Sequence, residues 1–178
     1  MVHRAKELWE DMDGRYEGVP PEVGVGMMEA GLEDDGVAYL ERSVAIYRQL
    51  GDPVPEWVLR AAAEGRVVRG TRFLDQKRYE VAEREYRHAL DLAPDYIDPY
   101  LGLGKVHLVQ GQYDAALSVL QQALELNLNH AEIWYQLGEV YRAKGDLDRA
   151  RGHFRQAVGL RPEEAQFQTA YASLSGAH

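Results

Sequence analysis

The chain has 178 residues, with 20 Lys and Arg against 29 Asp and Glu and a formal net charge of -9. This balance disfavours a nucleic-acid binder, which needs a concentrated cationic surface. Because the chain has no cysteine, disulfides, thiolate metal sites and cysteine nucleophiles are excluded. The sequence contains neither a signal peptide nor an apolar run long enough to span a membrane, so we expect a cytoplasmic protein.

Residues 1–62 come first in the chain and differ from the rest in charge. They hold 6 basic and 13 acidic residues, and we interpret them as an acidic helical leader. A first helix should include residues 8–12 and end before a loop at 14–21, which is rich in glycine and proline. Helices are predicted next over 22–32 and 37–50, and a Gly-Asp-Pro sequence ends the second of them.

From residue 63 the sequence is built from internal repeats of equal length. The repeat defines three units, 63–96, 97–130 and 131–164, in which small, aromatic and proline residues recur at fixed positions. We expect these recurring positions to form the structural core. They are Gly70, Phe73, Ala82, Tyr86, Ala89 and Pro94 in the first unit, Tyr100, Leu103, Gly104, Ala116, Leu120 and Ala123 in the second, and Trp134, Leu137, Gly138, Tyr141, Ala150, Phe154, Ala157 and Pro162 in the third.

The third unit shows why each repeat should fold as a helical hairpin. Trp134, Leu137, Gly138 and Tyr141 are spaced 0, 3, 4 and 7, which places them on one face of a helix. The glycine on that face allows a second helix to approach closely, and Pro162 ends the unit. Each hairpin has two apolar faces and cannot bury both alone, so the units must stack.

This set of positions resembles the signature of the tetratricopeptide repeat (TPR) family, and the third unit matches it at every named position. The resemblance implies an all-α fold, a right-handed α-solenoid of three TPR helical hairpins with an N-terminal helical leader. Residues 165–178 should add a C-terminal capping helix and tail, because Phe167, Ala170, Tyr171 and Leu174 again share one face.

Residues 19–52 are either part of an irregular leader or a degenerate fourth repeat. Gly26, Ala38 and Ala45 have the spacing of the glycine and alanines in the regular units. Arg42 stands where the third unit has Phe154, and this speaks against a repeat.

The resemblance also implies a concave groove that binds a peptide or helix, lined by one stripe of each leading helix. Three acids of this stripe recur at one edge, and large apolar residues recur beside them, which an ordinary solvent-facing surface would not show. The predicted groove residues are Glu64, Val67, Thr71, Leu74, Asp98, Leu101, Lys105, Leu108, Val109, Glu132, Tyr135, Glu139 and Arg142. Either a partner segment or the apolar residues of the leader should cover them.

The groove lacks the basic clamp with which some TPR proteins bind the carboxylate end of a chaperone. Val67, Thr71, Gly102, Glu132 and Gln136 occupy the corresponding places. A heat-shock co-chaperone of that kind is therefore not expected.

The function predicted from these patterns is a non-catalytic protein-protein interaction adaptor, acting as a subunit or assembly factor of a larger complex. Its partner would be a protein, through a peptide or amphipathic helix that is apolar with a basic edge. A self-assembling homo-oligomeric scaffold is the alternative. No catalytic residue, metal site, cofactor, nucleic acid or membrane insertion is predicted. The basic stretch over 60–78 should hold either an acidic partner or the acidic leader.

Overall fold

A computed structural model describes residues 20–175, and every regular element among them is a helix. The helix predicted around residues 8–12 lies outside the described residues. The chain divides into two larger compact units. The first unit, Met1–Tyr96, ends with the repeat 63–96, and the second unit, Ile97–His178, contains the repeats 97–130 and 131–164. The helices of the described residues are α1 (Pro21–Glu29), α2 (Glu33–Leu50), α3 (Glu56–Asp75), α4 (Tyr79–Leu92), α5 (Ile97–Val109), α6 (Tyr113–Leu126), α7 (Ala131–Ala143), α8 (Leu147–Leu160) and α9 (Ala165–Ser175).

The first unit contains two helical hairpins, α1–α2 and α3–α4, and α2 packs against α3. Leu40 and Val44 of α2 are buried with Val58 and Ala62 of α3, so one apolar cluster joins the hairpins. Because α3 begins at Glu56, it is two turns longer than the leading helix that a repeat starting at residue 63 requires.

Each regular repeat brings its two helices together at a glycine. A Cβ atom added to Gly104 would lie 2.8 Å from Leu120 Cδ2, and one added to Gly138 would lie 2.5 Å from Phe154 Cδ1. Gly70 meets Tyr86 in the same way, at 2.8 Å. The interval from the glycine to its partner is the same in all three repeats, and no larger side chain fits without moving the partner.

The α1–α2 hairpin follows the same rule in a register that differs from the predicted one. Gly24 is the glycine in close contact, because its added Cβ would lie 2.7 Å from Leu40 Cγ, and Leu40 follows it at the interval of the regular repeats. Gly26 has open space around it, and Ala38, Ala45 and Arg42 are exposed. The predicted alignment of Gly26, Ala38 and Ala45 with the repeat is therefore wrong, because the true register begins at Gly24. The small positions of this hairpin are instead Gly36 and Ser43, both buried.

The second unit consists of two hairpins, α5–α6 and α7–α8, followed by the single helix α9. Leu120, Ile133 and Val140 have no exposed surface and form its centre. Trp134, predicted to be buried, is only half-buried, and its Nε1–H donates a hydrogen bond to the carbonyl oxygen of Leu128 at 2.8 Å. Phe167 of α9 is 1% exposed, so this helix covers the last hairpin.

The two prolines assigned to the structural core are exposed. Pro94 follows the end of α4, and Pro162 follows the end of α8. Because proline cannot continue a helix, both residues act at the chain boundary of a repeat rather than by packing in its interior.

Among residues 20–175 no helix combines the length and apolar character needed to cross a membrane.

Candidate functional site

A cleft lies inside the first unit, between α1, the start of α2 and the middle of α3. Its volume is about 320 Å³, and it is open to solvent on one side. The residues that line it are Val25, Met28, Glu29, Glu33, Glu64, Gly65 and Val68.

The floor of the cleft is apolar. Gly65 allows α3 to approach α1 and α2, because an added Cβ would collide with Val37 Cγ2 and lie 2.9 Å from Met28 Sδ. Val68, one turn further along α3, keeps 41% of its surface exposed. A nonpolar group that entered the cleft would therefore bury apolar surface that the fold leaves open to water.

The rim of the cleft is acidic. Glu64 pairs with Arg60 at 3.4 Å, and both side chains are about half exposed. Glu33 pairs with Arg72 at 3.4 Å. Glu29 is exposed, and its side chain makes no ion pair or hydrogen bond with any described residue. Because neither lysine nor arginine lines the cleft, its rim carries a net negative charge.

An ionic network behind the cleft holds α2 against the second hairpin of the unit. Arg66 bonds Glu41 of α2 and Glu85 of α4, the latter at 2.7 Å. Burial lowers the pKa of Arg66, but its hydrogen bonds to Glu85 and Glu41 outweigh this and raise the pKa above its ordinary value. Arg69 forms an ion pair with Asp34 of α2 at 3.1 Å. Three arginines of the basic stretch, Arg66, Arg69 and Arg72, thus pair with acids of the chain's own leader.

Of the groove residues predicted on α3, Glu64 lines the cleft, and Val67, Thr71 and Leu74 do not. Val67 is half-buried against an apolar cluster that includes Ala63 and Ala89. The hydroxyl of Thr71 shares a hydrogen bond of 3.1 Å with that of Tyr86, and Leu74 is half-buried.

Six lining residues were missed by the sequence reasoning, and for the three of them on α1 the reason is the register. With Gly24 aligned to Gly138, three residues of α1 fall at the positions of Glu139, Arg142 and Ala143, which belong to the predicted groove stripe. The interval from Gly24 to Leu40, equal to that from Gly138 to Phe154, was the signal in the sequence that could have found them. The missed residues are Val25, Met28, Glu29, Glu33, Gly65 and Val68.

In the second unit, the groove residues Leu101 and Tyr135 pack against other residues of the unit, whereas Val109 keeps 56% of its surface exposed. Leu101 is only 9% exposed and packs with Leu120 and Ile133, so its prediction as an open contact is wrong. The ring of Tyr135 lies 5.7 Å from that of Phe154 and 5.0 Å from that of Phe167. Burial raises the pKa of Tyr135, and the nearby carboxylate of Glu139 adds to this increase.

The polar groove residues of the second unit pair with one another. Glu132 lies 4.0 Å from Lys105 and accepts a hydrogen bond of 3.5 Å from Gln166 of α9. Glu139 and Arg142 form an ion pair at 2.5 Å. Asp98 and Val109 are exposed, and Leu108 is half-buried.

The repeat geometry agrees with a comparison against protein families. One tetratricopeptide repeat family model matches residues 101–165 and a second matches residues 73–125. The chain belongs to the tetratricopeptide repeat family. TPR domains generally mediate protein-protein interaction, and the family is generally non-catalytic. No curated protein matches the sequence.

Solved structures with the same fold include several TPR domains. The first TPR of Spaghetti (RPAP3), bound to the HSP90 peptide SRMEEVD, is 18% identical with a TM-score of 0.59, and the match covers 65% of this chain and 91% of that one. The Arabidopsis OM64 TPR domain is 18% identical with a TM-score of 0.60, over 67% of this chain and 99% of that one. MamA 41-end from Desulfovibrio magneticus RS-1 is 19% identical with a TM-score of 0.63, and the match covers 86% of this chain and 80% of that one.

No group of three or more His, Asp or Glu side chains within residues 20–175 is arranged to hold a metal ion.

Proposed function

We propose that this TPR protein is a non-catalytic adaptor that binds a segment of a partner protein in the cleft between α1 and α3. One observation carries the proposal: the cleft leaves the apolar surface of Val68 open beside Glu64, a predicted groove residue. In the second unit, the groove residue Tyr135 already packs against Phe167 of α9. The first unit therefore offers a site that the described part of the chain does not fill.

The other predicted groove residues of the first unit would extend this recognition surface along α3. Val67, Thr71 and Leu74 follow Glu64 on that helix and are partly accessible. The second unit, taken by itself, has the following accessible candidates: Asp98, Lys105, Leu108, Val109, Glu132, Tyr135, Glu139 and Arg142. An adaptor of this kind would act as a subunit or assembly factor of a larger complex.

Site-specific photo-crosslinking in the native host tests the proposal. A benzophenone amino acid replaces Val68 in one variant, and in the control it replaces Leu126 of α6, which is 45% exposed and outside the proposed surface. We expect the Val68 position to crosslink a defined protein that the Leu126 position does not capture.

The captured protein must then bind the purified chain through the cleft. Val68→Asp should weaken that binding at least tenfold, because a charged group would replace the apolar floor, whereas Leu126→Asp should leave it unchanged. Equal binding by the two variants would rule out the cleft as the working surface.

A further inference from the structure

We infer that the cleft of the first unit recognises a partner segment in which a lysine or arginine stands beside a nonpolar side chain. The inference rests on the proposed function and adds the chemistry of the partner. Its basis is the combination of an open apolar floor with an acidic rim on which the Glu29 carboxylate has no cation partner among the described residues.

The charges around the cleft favour a cationic group. Arg60 lies next to the rim, but its guanidinium is held 3.9 Å above the centre of the Tyr96 ring. Arg72 is engaged by both oxygens of Asp34, at 2.7 and 3.0 Å, and reaches Glu33 only at 3.4 Å. Glu29 has no cation among the described residues. An entering ammonium or guanidinium group would therefore meet a carboxylate that is free to pair with it.

The shape of the cleft favours a long cationic side chain next to a nonpolar one. Lysine and arginine place an apolar stem against nonpolar surface while their charged head reaches solvent or an anion. Val25, Met28 and Val68 can receive the stem, and the rim carboxylates can receive the head. A volume of about 320 Å³ is near the lower limit of the roughly 300–1,000 Å³ of small-molecule sites, so one or two side chains fit rather than a whole helix.

Charge argues against the two occupants that the chain itself could supply. Residues 1–19 contain 3 basic and 5 acidic residues, and a second copy of the chain carries a net charge of -9. Either would bring more negative than positive charge to an acidic rim, and like charges repel. A separate, basic partner segment matches the cleft better.

Three synthetic peptides with an uncharged fluorophore provide the probes for a binding test by fluorescence anisotropy. In the first, leucine and arginine alternate along a short peptide; in the second, glutamate replaces arginine; in the third, serine replaces leucine. We expect the full chain to bind the leucine-arginine peptide more tightly than either of the others. Added salt should weaken this binding, because part of it is electrostatic.

Two pairs of variants locate the binding. Glu29→Gln should weaken the leucine-arginine peptide about fivefold through loss of one charge pair. The matched control is Glu125→Gln, since Glu125 is also an exposed glutamate in the last turn of a helix, α6, and it should have no effect. Val68→Ser should weaken the same peptide, whereas Leu126→Ser should not.

Several results would overturn the inference. One such result is equal binding of the arginine and glutamate peptides, with both weakened by Val68→Ser. The cleft would then bind peptides without selecting cations, so the proposed function would hold and the inference of a basic partner would fail. Equal effects of Glu29→Gln and Glu125→Gln would also refute the inference. If no peptide binds at millimolar concentration the inference fails, and crosslinking at Val68 decides the proposed function separately.

The two other occupants have distinct signatures. A peptide of residues 1–19 that displaces the leucine-arginine probe at lower concentration would make the chain's own segment the occupant. A concentration-dependent dimer in light scattering that Val68→Asp dissolves would make it a second copy. Either result overturns the assignment of a basic partner.

Discussion

Lys77 adopts a left-handed backbone, with φ of 59°, at the repeat position where Gly145 has a φ of 83°. The two residues are separated by two repeat periods, and both form the turn between the helices of a hairpin. Gly111, in the repeat between them, has a φ of 72°. The geometry of the turn is thus kept in the first repeat although the glycine that favours it is missing.

Lys77→Gly should stabilise the protein. The left-handed conformation costs a residue with a Cβ about 1–2 kcal/mol, and glycine adopts it without that strain but loses more backbone entropy on folding. We expect a net gain of about 1 kcal/mol in the free energy of unfolding, measured by urea denaturation. Gln76→Gly is the control, because Gln76 has a φ of -77° and should lose stability. A Lys77→Gly variant less stable than the parent would show that the turn does not carry this strain.

Gly24→Ala and Gly26→Ala should have opposite effects on stability. The Cβ at position 24 would lie 2.7 Å from Leu40 Cγ and 3.0 Å from the carbonyl oxygen of Gly36, so the hairpin must shift. At position 26 the Cβ has free space, and alanine is favoured over glycine in a helix by roughly 1 kcal/mol. Thermal unfolding of both variants measures the difference, and a lower melting temperature for Gly26→Ala than for Gly24→Ala would contradict the observed register.

Arg66→Ala should cost about 3 kcal/mol of unfolding free energy, because it leaves the carboxylate of Glu85, only 7% exposed, with a weaker partner. Arg69 is that remaining partner, at 3.4 Å. The double variant Arg66→Met with Glu85→Leu should recover most of the loss, since it removes the buried charges together. Arg87→Ala, which breaks an exposed pair with Glu83, should cost less than about 1 kcal/mol. Equal losses for Arg66→Ala and Arg87→Ala, measured by urea denaturation, would refute a structural role for the network.

His153 should make the stability of the second unit depend on pH. Burial between Trp134 and Tyr141, helped by the charge of Arg149, lowers the pKa of His153 below its ordinary value of 6.5. The unfolded chain therefore takes up a proton before the folded chain does, and stability falls as the pH drops below about 6.5. Above that pH the imidazole is neutral in both states and has no effect.

The histidine contribution is measured with His153→Phe, which keeps an aromatic ring in the stack. Between pH 7.5 and 5.5 the melting temperature of the parent should fall further than that of the variant. His88→Phe is the control, because His88 is exposed. Identical pH profiles for the parent and His153→Phe would contradict this prediction.

The three regular hairpins were predictable because the residues that form their close helix-helix contacts recur in the sequence at a fixed spacing. Gly138 and Phe154 are a small and a large residue that fit each other, and a pair of this kind recurs in every regular repeat. The leading hairpin was harder to place because Gly36 and Ser43 replace the alanines of the pattern. Its contact pair, Gly24 and Leu40, is found only when the sequence is searched for a glycine and a large residue at the interval of the regular repeats, rather than for the recurring alanines.

The candidate site was less predictable than the fold, because position on a helix stripe does not determine exposure. Tyr135 and Val68 both lie on leading helices, but only Tyr135 has an aromatic residue of α9 against it. Leu101 shows the same limit, since its burial depends on how closely α5 and α7 approach. The cleft itself depends on where α1 ends relative to α3, and the sequence pattern does not give that distance.

The arginines at positions 66 and 69 have a consequence for how the hairpins are ordered. They occupy places that hold Trp134 and Leu137 in the last repeat, and they face acids of α2. Hairpins built to one plan share similar apolar faces, so packing alone discriminates poorly among candidate neighbours. A hairpin without acids opposite Arg66 and Arg69 would leave these two arginines to share the single carboxylate of Glu85. The charges between α2 and α3 thus favour packing of the second hairpin against its own leading hairpin over packing against a hairpin that lacks these acids.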